Sequence, residues 1–436
     1  MQDRHGNALT GASRTAAAHI DDAIEAFALY RGDPITAIDA AIADSPRCPA
    51  AHIAKALLFG LATEPAARDT AAIALDATRD LPMNDRETSL AAATARLLAG
   101  EWTAAALALD RHNASWPHDF LALQSGHLID FFRANARNLR DRIARALPRW
   151  SADMPLFPML LGMHAFGLEE SGDYARAEES GRGALALDRR DSWAHHAVAH
   201  VMEMQGRAED GIGWMIAREA DWAGTDNFFQ VHNWWHRALY HLSLEQFDQA
   251  LALYDARIGG PPTPVAVNLV DASALLWRLT LLGVDVGPRW DAVSDLWDPI
   301  ADGKLYPFND WHAAMADLGT GRIDRLEARL VRMRAAATKP GETAHWIGTN
   351  GIPLIEGFSA FWRGDNATAA ALLHRHRFIA NSFGGSHAQR DIIDWTLAEA
   401  ALRGGLPDLA GALAHERLAL KPFNPLDRSL LIRSQT

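Results

Sequence analysis

One short turn recurs along this chain at a spacing that few folds accommodate. Gly172-Asp173-Tyr174 is followed by Ala177, and Gly206-Arg207-Ala208 comes 34 residues later. Gly100-Glu101-Trp102 with Ala105 is an earlier copy, ending at Pro117. Gly32-Asp33-Pro34 with Ala37 lies 68 residues before it, two periods of 34. Glu245-Gln246-Phe247 with Ala250, Gly364-Asp365-Asn366 with Ala369, and Gly405-Leu406-Pro407 with Ala410 and Pro422 extend the series. Glycine reverses the chain between two helices, and a small residue lets them approach closely.

Strand signals are scarce, whereas alanine, leucine and arginine recur at helical spacing, as from Tyr174 to Leu187. The period and the helical pattern together predict an all-α fold, a tetratricopeptide-like solenoid curved around a concave pocket. About ten to twelve helical hairpins would fill the chain. A polar segment, residues 1–15, precedes a single solenoid domain over 16–436. Three segments break the array: Gly259-Gly260-Pro261-Pro262-Thr263-Pro264, a loop from Lys339-Pro340-Gly341 through His345-Trp346 to Pro353, and Phe383-Gly384-Gly385-Ser386-His387. Their Trp, Phe and His suit loops folded onto the solenoid; plain surface loops are the alternative.

Composition narrows the function classes. Of 436 residues, 49% are hydrophobic and 22% charged, the balance of a soluble globular protein and not of a disordered or fibrous one. With 42 lysines and arginines against 54 aspartates and glutamates the net charge is -12, which argues against nucleic-acid and membrane partners. Cys48 is the single cysteine and suits a reducing compartment. Residues 1–15 have no apolar signal core and no window approaches 18 apolar residues, so a cytoplasmic location is expected. What stands out is 15 Trp beside 5 Tyr, with 19 His.

The histidines concentrate in Trp193-Ala194-His195-His196-Ala197-Val198-Ala199-His200-Val201-Met202-Glu203. On a helix, His196, His200 and Glu203 share one stripe, and two imidazoles with a carboxylate can bind a metal or share a proton. His232-Asn233-Trp234-Trp235-His236 repeats the spacing 36 residues on, which would let the two pairs face each other from neighbouring helices. Aligning on the turn at Glu245 gives another register, so convergence of the four rings is a hypothesis. Hydrogen-bonded pocket histidines are the plainer reading of each pair. Asp271 sits in an apolar helix and needs a partner if buried. Asn309, Asp310 and His312 precede another apolar helix, with Asn309 or Asp310 equally readable as an N-cap. Arg390 follows the Gly384-Gly385 turn and either clamps a carboxylate or pairs with Asp391 or Asp394. Trp193, Trp214 and Trp277 have core spacing; Trp234, Trp235 and Trp346 adjoin histidines and could wall a pocket.

Nucleotide-binding loops, Cys-x-x-Cys, His-Glu-x-x-His and Gly-x-Ser-x-Gly are all absent. The sequence resembles the tetratricopeptide repeat protein 38 family. The resemblance rests on His196-Ala197-Val198-Ala199-His200 with Glu203, then Gly211, and on His232-Asn233-Trp234-Trp235-His236 with Ala238-Leu239. Val270-Asp271-Ala272-Ser273, the Leu279 to Trp290 segment around Gly283-Val284-Asp285-Val286-Gly287, and Phe308-Asn309-Asp310-x-His312 extend it. Gly351-Ile352-Pro353-Leu354 and Gly384-Gly385-Ser386-x-Ala388-Gln389-Arg390-Asp391 complete it. It is specific from about residue 160 to 395 and implies a tetratricopeptide-like fold over essentially the whole chain, with no settled activity.

The leading expectation is an enzyme acting on a small molecule by hydrolysis or another acid/base reaction in a Trp-walled pocket. His200 and Glu203 would be the acid/base pair, Asp271 would orient a histidine, and His312 joins the catalytic set. His196, His200, His232 and His236 would hold a divalent metal, zinc, iron or manganese, or stabilise an oxyanion. Trp235, Asn309, Trp346 and Arg390 would bind substrate, Arg390 on an anionic group. The alternative is a non-catalytic adaptor holding a peptide or partner protein in its groove. A small-molecule sensor without turnover is a third reading. Nothing fixes the oligomeric state, and a homodimer stays open.

Overall fold

The computed structural model describes residues 1–260 and 265–435, and the regular elements among them are helical. The Pro261-Pro262-Thr263-Pro264 part of the first expected interruption lies outside the described residues. Eleven consecutive helix pairs run from Arg14–Leu29 with Pro34–Asp44 to His387–Arg403 with Pro407–Leu420, and Pro425–Ser434 follows. The chain is an all-α, tetratricopeptide-like array of helical hairpins.

The turn residues that define the repeat take the one conformation their role requires. Gly32, Gly100, Gly172, Gly206, Gly364 and Gly405 all have φ between 67° and 77° or, at Gly172, 81°. Glu245 stands at the same position with φ 58°, so the fold imposes the left-handed turn even without glycine. Each turn closes the preceding helix by a bond back to a carbonyl five residues earlier, as from Asp173 N–H to Leu168 O at 2.9 Å and from Arg207 N–H to Met202 O at 2.8 Å. The first copy differs, because Tyr30 at φ 55° takes the capping conformation ahead of Gly32.

Five residues after the turn, Ala105, Ala177, Ala250, Ala369 and Ala410 are fully buried. In the Gly206 copy the same position is Gly211, and a Cβ there would lie 2.4 Å from the Tyr240 ring. That ring belongs to the helix Gln230–Ser243, which bears His232 and His236. Gly211→Ala is therefore expected to destabilise by about 1–3 kcal/mol through overpacking. Gly213→Ala, where a Cβ meets nothing within 4 Å, is expected to be neutral or slightly stabilising. Urea midpoints of the two variants check this, and equal midpoints would contradict it.

The chain packs as two compact units, one comprising Met1–Val198 with Asp221–Phe229, the other Ala199–Ala220 with the chain from Gln230 onward. In the first unit the amino-terminal segment is folded and not a loose leader: Gln2 and Ala8 form an antiparallel bridge, Leu9 is buried, and Thr10 N–H donates to Glu87 Oε1 at 2.9 Å. Buried charges there are matched, with Arg86 Nε and His112 Nε2 both on Asp119 Oδ2, at 2.7 and 2.9 Å.

In the second unit the helix Ala266–Leu281 is buried along almost its whole length and packs against Gln230–Ser243, Pro307–Gly319 and His387–Arg403. Trp277 Nε1–H donates to Thr396 Oγ1 at 3.0 Å, and Trp297 Nε1–H to Ser273 Oγ at 2.9 Å, so two indoles lock this helix to its neighbours. The expected loop after Gly341 is instead helical. Glu342–Trp346 continues through a π-helical turn, Ile347–Gly351, directly into Ile352–Trp362, which bears Pro353 near its start. Residues 383–386 do fold inward, with Phe383 and Ser386 buried and Gly384 N–H on the Tyr306 hydroxyl at 3.3 Å.

Candidate functional site

The second unit carries a buried imidazole cluster. His232 and His236 lie one turn apart on Gln230–Ser243, and one ring nitrogen each from His200, His232 and His236 lies within 4.8 Å of the others. The rings of His200 and His236 are 4.5 Å apart between centroids, and those of His232 and His236 4.7 Å. Tyr240 fixes the placement, since its hydroxyl donates to the carbonyl of Ala199, directly before His200, at 2.6 Å.

Asp271 projects from the middle of Ala266–Leu281 and is fully buried. Its Oδ2 lies 2.8 Å from His232 Nδ1. A carboxylate accepts, so the proton sits on Nδ1 and the Nε2 lone pair points away from Asp271. His236 Nε2 is 3.2 Å from that atom. Two arrangements produce such a distance. One nitrogen can donate to the other, or both can face a common cation: metal–nitrogen bonds of about 2.0–2.1 Å at tetrahedral angles set nitrogen–nitrogen edges of about 3.3 Å. The carboxylate behind the imidazole is the supporting arrangement that orients a metal-binding histidine.

His200 is fully buried, and burial, followed by nearby His232, His387, Lys421 and Arg390, holds its proton affinity well below the usual histidine value. It is a neutral imidazole at neutral pH, the form that ligates or accepts a proton. His196 lies one turn earlier on the helix Ser192–Met204 and stacks on Phe166 at 5.3 Å.

Other expected residues are placed as follows. Glu203 Oε1 lies 2.6 Å from Lys421 Nζ in a buried ion pair, so its carboxylate anchors that lysine. His312 is buried with Nδ1 on the Phe308 carbonyl at 2.8 Å, packed on Phe308 and Trp311, and burial pulls its pKa down to about 3. Asn309 is buried in the first turn of Pro307–Gly319, whose N-cap is Tyr306; neither Asn309 nor Asp310 caps it. Asp310 instead accepts from Gly303 N–H at 2.8 Å beside Arg329, and burial pushes its pKa up to about 6. Trp235 is fully buried, stacked on His232 at 5.2 Å with the Arg278 guanidinium 5.4 Å from its ring. Trp346 is buried in its own short helix. Arg390 bonds the Gly385 carbonyl and His387 Nδ1, whereas Asp391 and Asp394 pair with Arg417 and Arg377.

Lys421, Arg417, Asp427 and Arg377 were not among the expected residues. They line a cavity of about 290 Å³ with His387, Arg390 and Met204, the last one turn beyond His200. The nearest sequence signal is a lysine, Lys421, at the end of an apolar helix before proline, which reads only as a helix stop.

No family model matches the chain. Among solved structures it is similar to a tetratricopeptide repeat protein from Parabacteroides merdae, at 14% identity over 64% of this chain and 99% of that one, TM-score 0.36. It is similar also to the APC/C hetero-tetramer Cut9-Hcn1, at 13% identity over 97% of this chain and 76% of that one, TM-score 0.46. A third is a monomeric mutant of IFIT1 with Gppp-AAAA, at 12% identity over 85% and 87%, TM-score 0.41. Among the described residues no helix is long and apolar enough to cross a membrane.

Proposed function

We propose that this helical-repeat chain is a member of the tetratricopeptide repeat protein 38 family and a metal-dependent enzyme acting on a small molecule by hydrolysis or another proton transfer. The observation that supports this most is the pair of Nε2 atoms of His232 and His236, 3.2 Å apart, with Asp271 holding the proton of His232 on the far side. His200 brings a third, neutral imidazole, and the fourth position is left to water. Zinc, iron or manganese suits such ligands. A bound divalent ion would acidify that water and polarise a substrate oxygen. The adaptor reading shares the helical-repeat fold but gives no reason for three imidazoles, two of them fully buried, around one point.

Cobalt(II) titration of chelator-treated protein tests the proposal, because tetrahedral imidazole coordination gives visible absorption bands. Asp271→Asn is expected to weaken binding roughly 10–100-fold, the usual cost of losing the group that orients a ligating histidine. Unchanged affinity in that variant would remove Asp271 from the site.

A further inference from the structure

The first unit holds a second group of catalytic residue types, assembled from three consecutive helices. Ser89 lies early in Asp85–Leu98, His112 lies in the last turn of Trp102–Ser115, and Asp119 is the N-cap of Phe120–Phe132. Ser89 Oγ is 3.1 Å from His112 Nδ1, and His112 Nε2 is 2.9 Å from Asp119 Oδ2. Hydroxyl, imidazole and carboxylate thus stand in series, the arrangement that activates a serine as a nucleophile. The ring is used in the reverse sense to serine proteases, with Nδ1 towards the serine and Nε2 towards the acid.

Each member is held in its role. Asp119 accepts from Arg86 Nε at 2.7 Å on Oδ2 and from Ala122 N–H at 3.2 Å on Oδ1. Burial alone would raise its proton affinity, but Arg86 and His112 hold the carboxyl well below the usual carboxylate range. An ionised carboxylate accepts, so in the neutral ring the proton sits on Nε2 and the Nδ1 lone pair faces Ser89. Helical hydroxyls commonly turn back to their own helix, as Thr94 does to the Leu90 carbonyl and Ser171 to that of Gly167, each at 2.8 Å. The Ser89 hydroxyl makes no such bond among the described residues; its partner is the imidazole. His112 and Asp119 are buried whereas Ser89 is half-buried, so base and acid are shielded and the nucleophile stands nearest solvent. The half-buried Trp116 ring lies 4.9 Å from that of His112 and offers a flat apolar surface beside the base.

We propose that Ser89, His112 and Asp119 form a second, metal-independent centre that hydrolyses an activated carboxylic ester, such as an aryl ester. Ser89 Oγ attacks the carbonyl carbon as His112 Nδ1 takes the hydroxyl proton. The bond to the leaving oxygen breaks, and that oxygen takes the proton from Nδ1. Water then attacks the acyl-serine, losing a proton to Nδ1, and the acid departs as Ser89 Oγ takes that proton back. The sum is ester plus water to acid plus alcohol. Asp119 stabilises the imidazolium formed in each half, and Arg86 positions Asp119. An ester with a good leaving group is the class that fits, since an amide requires much stronger stabilisation of the tetrahedral oxyanion. The centre shares no residue with the imidazole cluster of the second unit.

Treatment of the full chain, kept in chelator, with a fluorophosphonate tests it, because an activated serine displaces fluoride and keeps the phosphonyl group. Peptide mass mapping should place the label on Ser89. Ser89→Ala, at a half-buried position, should lose the label at an unchanged melting temperature. His112→Gln keeps a polar side chain against Asp119 and should slow labelling about 100-fold or more. Hydrolysis of p-nitrophenyl acetate should fall roughly ten-fold or more in Ser89→Ala. No label on Ser89, labelling of folded His112→Gln at the wild-type rate, or p-nitrophenyl acetate turnover unchanged in Ser89→Ala would each overturn the proposal. With chelator present throughout, none of these outcomes depends on the metal centre.

Discussion

Acidification towards pH 3 is expected to unfold this chain. His127 in the first unit and His312 in the second are fully buried, and burial holds the pKa of each down to about 3. In the unfolded chain both return to about 6.5. The unfolded state therefore binds more protons between those values. Stability is fully present above pH 6.5 and is lost as pH falls through 3. A shift of about 3.5 units corresponds to roughly 4–5 kcal/mol for each histidine. Asp310 opposes this. Its carboxyl is pushed up to about 6, so its contribution is present below its unfolded value and is lost as pH rises through 6, about 3 kcal/mol. The net acid loss, on the order of 6 kcal/mol, is comparable to the whole stability of many domains. Trp193 donates to His127 Nε2 at 3.1 Å, so tryptophan fluorescence during an acid titration follows the event. His127→Gln and His312→Gln should each flatten the dependence on pH. An acid slope unchanged in both would contradict the assignment.

Removing one imidazole of the cluster is expected to do more to metal affinity than any change around it. Structural zinc in four-ligand peptides contributes about 10–16 kcal/mol, so one ligand of four corresponds to roughly 3–4 kcal/mol, or 10²–10³-fold in affinity. His236→Ala and His200→Ala should each show that loss, larger than that of Asp271→Asn. The variants should also lose the metal-dependent rise in stability, about 2.7 kcal/mol for wild type at a hundred-fold excess over Kd. His374→Ala, at an exposed position on another helix, should behave as wild type. If His236→Ala kept wild-type affinity, the metal would have to lie elsewhere.

The helical array was legible because a left-handed turn and a small packing residue leave marks at fixed offsets. Those marks identified the turns at Gly100, Gly172 and Gly405 from one residue type and one interval. The same rule passed over Gly321, at φ 71°, because Leu326 stands where the pattern asks for alanine. The two histidine pairs were legible for an equally local reason, since four residues return a helix to the same face. Their relative register was not, because it depends on how the helices pack, which a repeat length leaves open. The Glu203–Lys421 bond joins residues 218 apart, beyond the reach of any period, so the partner of Glu203 could not be read from the repeat. Lys339-Pro340-Gly341 and Pro353 suggested a loop for a sound local reason. The segment stays helical with Trp346 and Ile347 buried, and a π-helical turn stands directly ahead of the proline.

The most direct test of the metal proposal is the metal content of the chain itself, purified without chelator and without an affinity metal. Elemental analysis should find about one zinc, iron or manganese per chain, falling to background in His236→Ala. Wild-type protein that holds no stoichiometric metal and takes up none on addition would contradict the account, leaving the three imidazoles as a hydrogen-bonded core cluster.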